Sequence, residues 1–145
     1  MKRLLTSLLL ILAGSAMWAQ NDLGSIIGRL SDFRIKAGFS CELTAEDVPV
    51  TYKGTALAQD NCFVVKANGV EAYCDGEVLI LVDPSEKEVY LQDAEGLEEY
   101  LKDNIGAVRN LKFSELRYLD KSKDLTAFTY DTKALDKSWT VTDLR

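Results

Sequence analysis

Along the first two-thirds of the chain the spacing of apolar positions changes from a helical period to a period of two. In DLGSIIGRLSDFRIK, residues 22–36, Leu23, Ile26, Ile27, Leu30 and Phe33 recur at helical intervals. Asp22 offers an N-cap and Gly38 a stop, so the spacing predicts a helix over 22–36. Beyond Gly38, Phe39, Cys41 and Leu43 alternate with Ser40, Glu42 and Thr44, the pattern of a half-buried strand. Further strands are predicted at Thr51–Gln59, Cys62–Lys66, Val70–Cys74, Glu77–Val82 and Glu88–Gln92. The turns between them are marked by Asp60-Asn61, Asn68-Gly69, Asp75-Gly76 and Asp83-Pro84-Ser85. Connections this short make an antiparallel meander of six strands. A second helical pattern sets Leu97, Tyr100, Leu101 and Ile105 along one side of residues 94–108. Lys112–Tyr118, Leu125–Tyr130 and Trp139–Leu144 then read as three closing strands. The expected fold class is α+β, dominated by antiparallel sheet.

Two turn geometries fit Ala67-Asn68-Gly69. A three-residue loop sets Cys62 opposite Cys74. A two-residue turn at Asn68-Gly69 sets Cys74 opposite Phe63 and sends the two thiols to different faces, because one step of register reverses every side chain. The two-residue register gathers Phe63, Val65, Ala67, Val70, Ala72 and Cys74 on one apolar face and pairs Lys66 with Glu71 on the other. That pattern favours it and makes Cys74 a core thiol. An exported protein would usually bond its cysteines, yet the chain has three, so at least one is left over.

The first nineteen residues look like a secretory leader. Lys2 and Arg3 precede an apolar run from Leu4 to Ala13, and Ala16 and Ala19 supply cleavage sites. Leu12-Ala13-Gly14 is followed by Ser15, which has no thiol to acylate. The expected product is a periplasmic protein, not itself lipidated, of one domain over residues 20–145. The formal charge is −6, and loss of Lys2 and Arg3 makes it −8, so nucleic acid is an unsuitable partner. The chain contains no histidine, no phosphate-binding loop and no dinucleotide fingerprint. Its cysteine spacings match no metal motif. Asp75 and Glu77 flank Cys74 and would raise a thiol pKa rather than activate it. The expectation is a protein that is not an enzyme, with no cofactor and no metal.

What remains is apolar sheet. In Val78-Leu79-Ile80-Leu81-Val82 both faces are apolar, which fits either a filled core or a pocket for a hydrophobic ligand. The stretch Phe63–Gln92, with NGVEAYCDGEVLILVDPSEKEVYLQ, resembles the outer-membrane lipoprotein carriers, the LolA-like family, and in particular its short exported Bacteroidetes-type members. The closing WTVTDLR is similar to the end of those relatives. Here Ile80 stands where the family often has an aromatic, its functional strand arginine has no match because Arg34 falls in the first predicted helix, and the chain is shorter around 93–111. The resemblance implies an open, curved antiparallel half-barrel with helices over its concave face. It also implies a monomeric carrier that takes lipoprotein acyl chains, or another hydrophobic ligand, from an inner-membrane transporter to an outer-membrane acceptor. Burying a long acyl chain is worth roughly 10 kcal/mol, which a carrier must match with apolar surface. The residues expected to line that cavity are Phe39, Leu43, Phe63, Val65, Val70, Ala72, Leu79 and Leu81 from the sheet, with Ile27, Leu30, Leu97 and Leu101 from the helices. The alternative is an envelope protein-interaction module with a filled core, docking a partner through Tyr73, Val78 and Ile80.

Overall fold

The computed structural model describes residues 28–45, 47–95 and 108–145, without the side chains of 43–45, 108, 109 and 111. Its strands are β1 (Phe33–Ala45), β2 (Val48–Gln59), β3 (Cys62–Ala67), β4 (Val70–Cys74), β5 (Val78–Asp83), β6 (Glu88–Asp93), β7 (Val108–Asp120) and β8 (Thr140–Asp143). They form one open sheet in the order β7-β1-β2-β3-β4-β5-β6-β8. Every pair is antiparallel except β6 with β8.

The α+β expectation is overturned. Among the described residues there is no helix of seven residues or more, and none lies over the sheet. The helix predicted over 22–36 gives way to strand from Phe33 onward. Ile35, Ala37, Phe39 and Cys41 are buried while Arg34, Lys36, Gly38 and Ser40 alternate with them, so the period of two begins six residues earlier than expected. Gly38 is no helix stop. It lies in β1 where the Ser114 hydroxyl of β7 occupies the space of a Cβ, 2.6 Å from it. The helix predicted over 94–108 lies outside the described residues except at its ends, where Ala94 follows β6 and Val108 opens β7. The strand predicted over 125–130 is a single-turn 3-10 helix, Thr126–Phe128, started by Asp124, whose carboxylate accepts from the Thr126 N–H and hydroxyl.

The β3–β4 hairpin takes the two-residue turn. Asn68 and Gly69 have φ of 49° and 78°, the left-handed pair of a type I′ turn, and Phe63 stands opposite Cys74. Cys41 and Cys74 therefore belong to one apolar cluster and Cys62 to another, and all three are free and buried. Burial raises the pKa of each thiol. The native protein at pH 8 should thus react slowly with a disulfide reagent, and the unreduced, denatured chain should yield three thiols. A yield of one would mean that two of the three are bonded, and a bond mapped to Cys62 and Cys74 would mean that the register is wrong.

Register sorts the sheet into two apolar faces. The first carries Ile35, Phe39 and Cys41 of β1, Tyr52 and Ala56 of β2, and Val65 and Ala67 of β3. It continues through Val70, Ala72 and Cys74 of β4 to Leu79 and Leu81 of β5. The second carries Cys62, Val64, Tyr73, Ile80, Val82 and Val89. Residues 121–139 cross this second face from β7, at one edge, to β8, at the other. Seven strand spacings of about 4.8 Å amount to roughly 34 Å, well within the reach of nineteen residues. Phe128, 1% exposed, is the plug of this strap, with Tyr130, Leu135 and Trp139 packed beside it.

Candidate functional site

The first face brings together seven of the predicted cavity residues: Phe39, Phe63, Val65, Val70, Ala72, Leu79 and Leu81. Leu30 packs against the same cluster from the turn before β1. The backbone of Leu43 lies in β1 opposite Val50. Ile27, Leu97 and Leu101 lie outside the described residues.

The composition of this face is uneven in a way that matters. Its middle is built from small residues. Ala37 pairs with Ala56, Ala58 with Phe63, Gly54 with Ala67, and Val65 with Ala72. Larger side chains, Ile35, Phe39, Tyr52, Phe63, Leu79 and Leu81, stand around that floor. A sheet layer made of alanine and glycine cannot fill the ~10 Å normally occupied between packed layers, and its alanines are 0–8% exposed, so the floor is a trough covered by atoms from outside the layer. The buried cluster of this face is apolar apart from the Tyr52 phenol and the Cys41 and Cys74 thiols, so the surface offers burial and little polar recognition.

The second face is where sequence reasoning missed structure. Tyr73 and Ile80, expected to dock a partner, are 7% and 8% exposed beneath the strap, and Val78 is half-buried beside it. This face already has its covering segment. Two polar side chains hold the strap in place. Gln59, 2% exposed, accepts from the Ser122 N–H at 3.0 Å and donates to the Ser122 carbonyl at 2.7 Å. Arg34 donates to Gln59 Oε1 at 3.0 Å and to the Asp124 carbonyl at 2.8 Å, with its guanidinium 5.0 Å from the centre of the Phe128 ring. Tyr73 donates to Glu71, and burial together with that bond raises its phenol pKa, so it stays protonated.

The strap covers the β3–β6 part of the second face and, on β1 and β2, the end marked by Arg34 and Gln59, leaving Lys36 and Thr55 exposed. At its margin, beside Ala127, lies a groove of about 470 Å³. The groove floor follows one row across the sheet, Lys36 to Leu57 to Val64 to Tyr73, each pair in register. Arg34 and Leu119, paired across β1 and β7, close one end, and Thr55 and Lys66, paired across β2 and β3, close the other. The available signal was the alternation from Phe33 to Cys41: once read as strand, it sets Arg34 and Lys36 on the face opposite Ile35 and Phe39. Among the described residues no cluster of three metal-ligating side chains occurs. No protein-family model matches the chain, and no curated protein matches it.

Proposed function

We propose that this chain is an exported binding protein that carries a hydrophobic, acyl-bearing ligand without transforming it, in the manner of the outer-membrane lipoprotein carriers it resembles. The observation that carries this reading is the small-residue trough on the first face. Alanines and Gly54 form its floor, and aromatic and aliphatic side chains form its walls, the Tyr52 ring among them. Such a surface suits an alkyl chain, which needs burial and no hydrogen-bond partner. Each methylene moved from water contributes about 0.8 kcal/mol. The three thiols are buried with raised pKa values, the opposite of activation.

The test is chemical. The protein is purified without detergent from the envelope fraction of its own cell, extracted with organic solvent, and the extract analysed by mass spectrometry. Near-stoichiometric acyl species, or uptake of a fluorescent fatty acid by ligand-free protein, is the expected result. Filling the trough with Ala72→Phe should abolish that uptake in a variant that still folds. Protein that is free of lipid and also takes up no fatty acid would overturn the reading.

A further inference from the structure

We infer that the groove on the second face is a separate binding site for a single-chain amphipathic anion, its carboxylate or phosphate head held between Lys36 and Lys66 and its apolar body lying over Leu57, Val64 and Leu119. This site is on the opposite side of the sheet from the trough and stands whether or not the trough holds a ligand.

Three observations converge on that chemistry. The groove volume, about 470 Å³, is that of a small-molecule site, with room for one alkyl chain and a head group and too little for a folded partner. Its charged lining is cationic throughout: Arg34, Lys36 and Lys66, with no carboxylate among the lining residues. Glu71 stands behind Lys66, 3.9 Å from its ammonium, and Tyr73 holds that carboxylate. A half-exposed pair at this distance is weak, so Lys66 keeps most of its attraction for an incoming anion. Arg34 is already committed to the strap through Gln59 and the Asp124 carbonyl, so it closes the end of the groove and leaves the head group to the two lysines.

The third observation is the distribution of charge in an acidic chain. Residues 62–93 carry seven carboxylates against two lysines, whereas β1 and β7 carry five cations against three carboxylates. The groove spans this division, with Arg34, Lys36 and Leu119 on its cationic side and Val64, Lys66 and Tyr73 on the other. On the groove's own face this edge holds Leu119, 40% exposed, whereas Phe33 and Tyr118 lie with Ile35 on the opposite face. Cations beside apolar surface favour a ligand that has both a negative head and a hydrocarbon body.

Decanoate and its methyl ester, both below their aggregation concentrations, are the probes. They share the alkyl chain and differ in charge. Binding is followed by the side-chain methyl resonances of Leu57, Val64 and Leu119, with Leu79 and Leu81 as reporters of the first face. Decanoate should shift the first set and bind at least about tenfold more tightly than the ester, less so as salt is raised. Lys36→Glu combined with Lys66→Glu, both exposed and tolerant of substitution, should weaken decanoate by about tenfold or more. That variant should leave uptake of a neutral chain by the trough unchanged, and Ala72→Phe should leave decanoate at the groove unchanged. Sedimentation with phosphatidylglycerol vesicles, sensitive to the same double variant, would assign the anionic head to a bilayer lipid instead of a free amphiphile. Equal affinity for acid and ester, an unaffected double variant, shifts confined to Leu79 and Leu81, or no binding at all would each overturn the proposal.

Discussion

A Gly54→Ala variant is expected to lose about 3 kcal/mol or more of folding stability, an unusually large effect for adding one methyl group. Gly54 sits in the middle of β2, paired with Phe39 on one side and Ala67 on the other. A Cβ at this position would fall 1.9 Å from the Lys66 carbonyl oxygen and 2.9 Å from the Ala67 Cα. Both are backbone atoms of β3, so no side chain can rotate away to make room. The methyl group can be accommodated only by separating β2 from β3, which breaks a ladder running from Gly54–Ala67 to Gln59–Cys62. Gly28→Ala is the control. Nothing lies within 4 Å of its Cβ position, so its midpoint in urea should match that of the parent. Equal stability of the two variants would show that β3 does not approach β2 as described.

Phe128→Ala should cost about 3–5 kcal/mol, a large share of the 5–15 kcal/mol typical of a whole domain. The ring is 1% exposed and packs with Val64, Tyr73, Ile80 and Val89. It also carries the Arg34 guanidinium on its face. Its loss removes the most deeply buried anchor of a segment that is otherwise held by Tyr130, Leu135 and Trp139 and by polar contacts at Gln59 and Arg34. The near-ultraviolet signal of the Tyr73–Tyr130 pair, with ring centres 5.3 Å apart, should weaken in step. Phe128→Leu keeps most of the volume and should cost less than about 1.5 kcal/mol. A loss below about 1 kcal/mol for the alanine variant, measured by urea denaturation, would mean that the strap contributes little to the fold.

The meander was legible in the sequence because its signals are local. Alternation marks β2 to β6, and Asn68-Gly69, Asp75-Gly76 and Asp83-Pro84-Ser85 mark the turns. Asp75 takes the N–H groups of Glu77 and Val78 at 2.9 Å each, which is why an aspartate belongs there. The first face follows from the same alternation, since fixing one register fixes every side chain. Two things were not local. Phe33 fits both a helical stripe ending at Leu30–Phe33 and a strand beginning at Phe33–Ile35. Only pairing with β2 and β7 decides between them. The Leu125–Tyr130 stretch has strand-like composition but joins neither edge of the open sheet; Phe128 and Tyr130 pack on the second face, and it lies there as a covering segment. The groove depends on both misread stretches, Arg34 and Lys36 from one and Ala127 from the other, and was therefore invisible before the fold was known.

The strap also dictates an order of assembly. Hairpins from β2 to β6 join neighbours in sequence and can form early, whereas β1 meets β7 across pairs such as Phe33 with Asp120, and β8 reaches β6 only after the chain has crossed the whole sheet. Long-range closures of this kind are slow. Until the last twenty-five residues dock, Val64, Tyr73, Ile80 and Val89 face water as one apolar surface. Docking of the C-terminal segment is therefore the step that takes this surface out of water. A chain shortened after Asp120 should be met by chaperones and proteases rather than by a ligand.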